Sequence, residues 1–285
     1  MTMHPGVRAA IVALATALLV APAGLAHASE SSPIELSATP DRQEILAGLP
    51  CLPAPPVTLG MTNTGDEAVY ADTFLRADRP LELSRAMFSS YVPAGTTVTA
   101  PLTVEAPYGT EPGRYDVTLD SAGQDLVVPI TVTAPPARAP GDNLLLGEQA
   151  DPSSTYVTAE TAFDPCGAVD GDHAWSTSAA WSSDTFGEFP DTYTVTLPEP
   201  AWMNRLDMYT HETQGLSAWD VRVETSDGAW RTVAEVRGNT AAFVSSTFPD
   251  VEAAKVEIVA LDSVDHGLSR IREIEAYLGG PPPAG

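Results

Sequence analysis

The sequence predicts an all-β protein built from two successive β-sandwiches. Short stretches that alternate apolar and polar residues recur along the chain between turn residues, and none shows sustained helical periodicity. All five tryptophans follow residue 134. The segment "APPARAPGD", residues 134–142, has the composition of a stiff, extended linker. Two domains of different composition are therefore expected.

The chain begins with the features of an export signal. Arg8 gives a positive n-region, and "AAIVALATALLVAPAG" gives an apolar core too short to rest as a membrane span. The small-x-small site "AHA" ends at Ala28. Residues 1–28 are therefore expected to be a signal peptide and the protein to be secreted. An uncleaved anchor is the alternative, but no stop-transfer flank follows. Residues 280–285 are expected to be a disordered tail.

The charge of the chain limits its partners. The formal net charge is −24, and loss of Arg8 with the signal makes the mature chain one unit more negative. Lys255 is the only lysine. Such an acid surplus repels nucleic acid and anionic membranes. We therefore expect no nucleic-acid partner and no membrane insertion. The protein is also expected to be a monomer.

The first domain, residues 29–133, is predicted to be a sandwich of short strands. "PPVTLGMTNTG" places Val57, Leu59 and Met61 at alternate positions before a turn, and "TTVTAPLTVEAP" repeats the pattern. "GRYDVTLDSAGQDLVVPITVT" gives two further strands around a turn. Many short strands at such spacing are typical of a β-sandwich.

The second domain, residues 143–279, is also β-rich. Alternation marks "DTYTVTL", "NRLDMYT", "WDVRVETSDGAWRTVAEV" and "AAKVEIVAL" as strands. Asp227 and Gly228 form a hairpin signal between two of them. Residues 134–142 are expected to link this domain to the first.

The two cysteines predict a disulfide. In an exported chain, Cys51 and Cys166 most simply pair, which would close a long loop and staple the two domains together. In the chain-entropy model, such a bond adds about 4–5 kcal/mol to the free energy of unfolding. The alternative is two buried free thiols.

The sequence does not indicate an enzyme. The histidines after the signal are His173, His211 and His266, and none lies in a His-Glu-x-x-His motif. No Gly-x-Ser-x-Gly elbow is present. A third hypothesis is a cryptic hydrolase. Acidic residues are abundant enough to include a catalytic carboxylate pair like that of glycosidases, but no sequence feature motivates this hypothesis.

The first domain resembles the NPCBM-associated domain, which is found beside α-galactosidases and other bacterial glycoside hydrolases. The resemblance lies in "VTLGMTNTGDEAV" and "VPAGTTVTAPLTVEAPYGTEPGRYDVTL". It implies an immunoglobulin-like sandwich that acts as a rigid spacer or a small interaction platform.

The second domain resembles discoidin, or coagulation factor V/VIII type C, domains, including the family-32 carbohydrate-binding modules. The matching pieces occur in order: "NLLLG", "AVDGD", "AWSS", "YTVTL", "NRLDMY", "WDVRVETSDGAWRTVAEV", "KVEIVAL" and "SRIREIEAY". The resemblance implies a galactose-binding-like jelly-roll sandwich. It also implies that Trp181 and Trp230 fill the core, whereas Trp219, at the start of a strand, is expected to be half-buried.

The same resemblance implies a structural Ca²⁺ at the turn "CGAVDGDHAWSTSAAWSS". Carboxylates, hydroxyls and main-chain carbonyls are the oxygen ligands that calcium prefers. The implied ligands are Gly167, Asp170, Asp172, Ser178, Arg272 and Glu273. The family places a Thr or Ser where this chain has Ala179, so Ser178 or Thr177 would have to substitute. The alternative is that Asp170-Gly171-Asp172 is an ordinary polar turn.

The resemblance also implies carbohydrate binding, with a changed site. Where galactose-binding relatives have a histidine after the tryptophan, this chain has Ser182; His211 replaces an arginine, and Gln214 with Gly215 replaces Asn-Gly. Galactose specificity therefore does not carry over. The candidate ligand contacts are Trp175, Asp184, Phe186, His211 and Gln214. Alternatively, Trp175 packs against the protein without contacting a ligand, and His211 is a solvated loop residue. The rival hypothesis is a structural or protein-interaction module that has lost its sugar site.

Overall fold

The computed structural model describes residues 33–121 and 123–279, which lie in one compact unit, Ser32–Gly285. The expected signal peptide, residues 1–28, and the expected tail, residues 280–285, lie outside the described residues. The described residues form strands, turns and loops without a helix, so the all-β prediction is confirmed. It follows that this part of the chain has no helix able to cross a membrane.

The N-terminal part consists of short strands that alternate buried and exposed side chains. Its strands are β1 (Ile34–Thr39), β2 (Gln43–Leu46), β3 (Val57–Asn63), β4 (Val69–Ala77), β5 (Glu82–Leu83), β6 (Met87–Val92), β7 (Thr97–Leu102), β8 (Val104–Glu105), β9 (Gly113–Ser121) and β10 (Gln124–Thr133).

These strands form a two-layer sandwich of the immunoglobulin-like type. One sheet has the order β1-β3-β7 and the other β2-β10-β9-β4-β6, with β2 parallel to β10. The inward residues of both sheets form one core, including Leu59 and Met61 of β3 and Val117 and Leu119 of β9. Strands β5 and β8 form a separate two-stranded ladder at one side.

The C-terminal part contains two unusually long strands among shorter ones. Its strands are β11 (Gln149–Pro152), β12 (Trp181–Ser182), β13 (Asp191–Thr210), β14 (Leu216–Glu224), β15 (Trp230–Val236), β16 (Phe243–Ser263) and β17 (Arg270–Tyr277).

The C-terminal strands form a jelly-roll sandwich. They run in the order β12-β17-β13-β16-β14-β15, and β11 also pairs with β13. The register of β13 against β16 shifts between Thr196 and Ala201 and between Met203 and Arg205. Such irregularities bend long strands, which lets them continue around a core. Arg270 of β17, Ser182 of β12 and Thr210 of β13 end at one edge, where the loops of the candidate site begin.

The burial of three tryptophans depends on strand position. Trp181 is fully buried, as expected. Trp219 is also fully buried and not half-buried, because β14 lies between β15 and β16. The expectation that Trp230 fills the core is wrong: it is only partly buried on the edge strand β15, beneath the Arg222 guanidinium, 5.2 Å from the ring centroid.

A disulfide joins the two sandwiches, which confirms the pairing expected for Cys51 and Cys166. Cys51 comes from the loop after β2, yet it packs in the hydrophobic core of the C-terminal sandwich with 2% exposure. Its backbone N–H donates to the carbonyl of Gly147 at 3.0 Å. The first sandwich therefore contributes a residue to the core of the second.

Gly147 permits the close approach of the two sandwiches. Its φ is +74°, and an added Cβ would lie 2.8 Å from the end of the Leu52 side chain. We expect Gly147→Ala to lower the free energy of unfolding by about 1–2 kcal/mol from backbone strain alone, with a further loss from displacement of Leu52. Urea denaturation measures the change. Gly95→Ala is the matched control, because its φ is +66° and a Cβ there meets nothing within 4 Å. Equal losses in both variants would contradict the packing role.

Candidate functional site

A buried carboxylate lies beneath the turn at residues 167–172. Glu273 of β17 is fully buried, and its Oε1 accepts a hydrogen bond from the Gly171 N–H at 3.2 Å. Its Oε2 has no hydrogen-bond partner among the described residues. Burial, together with the negative charge of Asp170, raises the pKa of Glu273 to about 9. Ionisation of this carboxyl therefore calls for a compensating cation.

Asp170 contributes a second carboxylate beside Glu273. Burial raises the pKa of Asp170 above its ordinary value, and the charges of Asp172 and Asp164 add to the effect. Its Oδ1 accepts the N–H of Asp172 at 2.8 Å, which fixes the turn. Gly167 lies so close to Ala180 that an added Cβ would be 2.5 Å from the Ala180 nitrogen and oxygen. The turn is thus held tightly over the carboxylates.

The side chains of the other metal ligands expected from the sequence form hydrogen bonds around the same turn. The Asp172 Oδ1 accepts the Ala174 N–H at 2.9 Å, and the Ser178 hydroxyl bonds to that of Ser176 at 3.2 Å. Arg272 donates its Nε–H to the carbonyl of His173, so it also braces this turn. Across residues 33–121 and 123–279, no three His, Cys, Asp or Glu side chains form a metal-binding group. An ion here would depend on main-chain carbonyls beside Asp170 and Glu273.

An aromatic group covers the outer side of the same region. The ring of Trp175 lies 5.1 Å from that of Phe163 and 4.7 Å, edge-on, from that of His211. Trp175 nevertheless keeps 37% of its surface exposed. The expected ligand contacts Trp175 and His211 are therefore adjacent, and Phe163 supports them.

The protonation of His211 is set by its own loop. Its Nδ1 accepts the N–H groups of Thr213 and Gln214 at 3.2 and 3.1 Å, so the ring proton lies on Nε2. Burial, with the positive charge of Arg270, lowers the pKa of His211. At neutral pH the ring is uncharged, and its Nε2–H is a donor.

Arg270 connects this loop to the next one. Its Nη1 donates to the Gln214 carbonyl at 2.9 Å and to the Asp265 carboxylate at 3.1 Å. The Asp265 Oδ1 in turn accepts the Gly267 N–H at 3.3 Å. Because Arg270 is 9% exposed, it holds the loops in place from beneath.

The remaining expected contacts, Asp184 and Phe186, lie in the loop between β12 and β13. Phe186 is 73% exposed and flanks Gly267, where an added Cβ would be 3.1 Å from its ring. The Asp184 N–H donates to the Ser154 hydroxyl at 3.2 Å. The five expected residues thus form two groups, Trp175 with His211 and Gln214, and Asp184 with Phe186. Ser182 is buried, so it presents no hydroxyl to a ligand.

Two residues that shape the site were not predicted from the sequence. Phe163 packs on Trp175, and its aromatic character just before Asp164-Pro165-Cys166 is the only signal for it. Arg270 lies in the recognised final strand, but its partners at Gln214 and Asp265 belong to separate loops.

Part of the chain matches a known family. Residues 167–258 match the F5/F8 type C family model described as "NedA-like, galactose-binding domain". The match spans the turn, β12 to β15 and most of β16. A search of the curated proteins finds no match to this chain.

Solved carbohydrate-binding modules resemble about half of this chain. Chitosan-binding module 1 of a Paenibacillus chitosanase/glucanase is 23% identical, with a TM-score of 0.42, over 48% of this chain and 98% of that one. A Clostridium perfringens module solved with GalNAc-β-1,3-galactose is 17% identical, with a TM-score of 0.42, over 48% and 99%. The family-32 module of Streptococcus pneumoniae EndoD is 20% identical, with a TM-score of 0.39, over 48% and 100%.

Proposed function

We propose that this protein is an exported, non-catalytic carbohydrate-binding protein whose C-terminal sandwich binds an extracellular or cell-surface glycan. The observation that carries the proposal is the partly exposed Trp175 ring beside the neutral His211, within the region that matches the galactose-binding family model. Sugar sites pair an aromatic face for the C–H side of the ring with fixed polar groups for its hydroxyls.

The two groups of loop residues would divide the work of recognition. Trp175 supplies the apolar surface, and the His211 Nε2–H donates to a sugar hydroxyl. The exposed Gln214 side chain adds further polar contact. Asp184 and Phe186 would contact a second sugar unit. The acid surplus of the chain favours a neutral glycan over an anionic one.

A structural Ca²⁺ belongs to this proposal. The buried Glu273, with one oxygen unpartnered, and the adjacent Asp170 form a negative site that a divalent cation would neutralise. The carbonyls of Gly167 and Arg272 are the further candidate donors. Those of Ala168 and Val169 are engaged by Ile274 and Gly147. The ion would brace the turn that carries Trp175.

The N-terminal sandwich serves as a rigid spacer in this proposal. Its resemblance to the NPCBM-associated domain supports that role. The disulfide and the packing of Cys51 fix it to the binding module. No residue group on either sandwich is assigned a catalytic role.

Trp175→Ala tests the sugar site. We expect the wild-type protein to bind neutral glycans on an array, and the variant to lose at least about tenfold in affinity by isothermal titration, because the stacking surface is removed. His211→Ala is expected to weaken the same ligand through loss of the donor.

Trp202→Ala provides the matched control. Trp202 is 53% exposed in the middle of β13, well before Thr210 and the loop of His211, so its removal deletes the same ring without affecting the site. Absence of binding to any glycan would favour the rival structural role. An equal loss in the two tryptophan variants would contradict the location of the site.

A further inference from the structure

A groove at the junction of the two sandwiches is a second candidate binding site. It encloses about 330 Å³ and is lined by the Ile45–Ala54 segment, the end of β8 with Tyr108, the start of β11 and Pro198. Pockets for small organic ligands typically have about 300–1,000 Å³. The groove is distinct from the loops at Trp175.

The shape of the groove is fixed before any ligand binds. Pro50, Pro53, Pro107 and Pro198 line it, and their rings restrict the backbone. The adjacent disulfide ties one wall to the other sandwich. A preformed site loses little conformational entropy when it binds a ligand.

All the charged residues that line the groove are acidic. Glu82, Glu105 and Glu148 line it, and no Lys, Arg or His does. Glu148 is buried with 3% exposure and pairs with Arg138, which lies outside the groove lining. The positive charge that would balance the other two carboxylates is missing from the lining.

The negative charges of Glu82 and Glu105 repel each other. They are directly opposite each other in the ladder of β5 and β8, so their side chains lie on the same side of it. Like charges at such a position destabilise a sheet. In the described part of the chain neither carboxylate takes part in an ion pair. A cation between them would relieve the repulsion.

Tyr108 adds a surface that suits an organic cation. Its ring is 60% exposed at the groove, and its hydroxyl donates to the Glu199 Oε1 at 3.0 Å, which fixes the ring. Aromatic faces attract ammonium groups. A hydrated metal ion would gain nothing from the apolar walls of Leu49 and Leu52.

We propose that this junction groove binds a small organic cation, a protonated amine carried on an apolar body. The apolar part lies against the proline and leucine walls, and the ammonium group lies between Glu82 and Glu105. This site operates independently of glycan binding.

Benzylamine tests the proposal, with benzyl alcohol as its neutral counterpart. Titration of the full chain, followed by calorimetry and NMR, is expected to show benzylamine binding at least about tenfold tighter than the alcohol, with weakening at high salt. Amide shifts are expected at Gly48 and Tyr108. Equal binding of the two probes, no binding of benzylamine, or shifts confined to other residues would overturn the proposal.

The double variant Glu82→Gln/Glu105→Gln locates the charge. Both acids are exposed, so we expect a folded protein that binds benzylamine about tenfold more weakly. Glu35→Gln/Glu67→Gln makes the same change in net charge at exposed acids outside the groove and is expected to bind as the wild type does. Similar affinities in the two double variants would overturn the assignment.

Discussion

Cys51→Ala/Cys166→Ala is expected to lower the free energy of unfolding by about 4–5 kcal/mol. The bond closes a loop of 115 residues in sequence separation, and loops of this length restrict the unfolded chain strongly. The substitution also leaves a gap where Cys51 packs in the core of the second sandwich. Urea denaturation followed by tryptophan fluorescence measures the loss, because all five tryptophans belong to that sandwich.

Calorimetry gives a second readout of the same variant. The wild type is expected to unfold in one transition, and the variant in two, because the sandwiches have separate cores and lose their covalent tie. A reductant should lower the melting temperature of the wild type and leave that of the double variant unchanged. A loss below about 1 kcal/mol with a single transition in both proteins would show that the junction holds without the bond.

Calcium is expected to stabilise the protein by about 2.7 kcal/mol when the ion is present at a hundredfold excess over its dissociation constant. The reason is the fully buried Glu273, whose unpartnered oxygen and neighbouring Asp170 lack a cation among the described side chains. Thermal unfolding in calcium and in chelator measures the difference. Unchanged melting temperatures would remove the metal from the proposal.

Glu273→Gln should abolish the stabilisation by calcium. In chelator the variant is expected to be about as stable as the wild type, because the raised pKa keeps the buried Glu273 uncharged at neutral pH and glutamine is an uncharged side chain of the same size. In calcium it is expected to be less stable, because a ligand is lost. Glu257→Gln is the control: this carboxylate pairs with Arg222 at 3.0 Å on another strand, so the calcium response should persist. A full calcium response in Glu273→Gln would place the ion elsewhere.

Local patterns predicted the strands well because alternation and burial have the same period. Val57, Leu59 and Met61 are buried as the pattern of β3 requires. The disulfide was also predictable, since two cysteines allow one intramolecular pairing and the expected signal peptide favours its formation. The approach of the turn at Asp170 to Glu273 was predicted only from the resemblance, because the 102 positions between Gly171 and Glu273 leave no local signal.

Features set by the arrangement of strands were not predictable from those patterns. Trp219 and Trp230 differ in burial because one strand is inside the sheet and the other is at its edge. Arg270 shapes the site through partners on two separate loops. The junction groove combines segments of both sandwiches, and alternation within a strand carries no information about how its ends meet another domain.

The position of Cys51 makes the C-terminal sandwich depend on the N-terminal one. A gene fragment that starts at the proline linker would encode a C-terminal module with an odd thiol and a hollow at its centre, prone to cross-link with its neighbours in an oxidising compartment. We therefore expect recombination to keep the two sandwiches together in one gene.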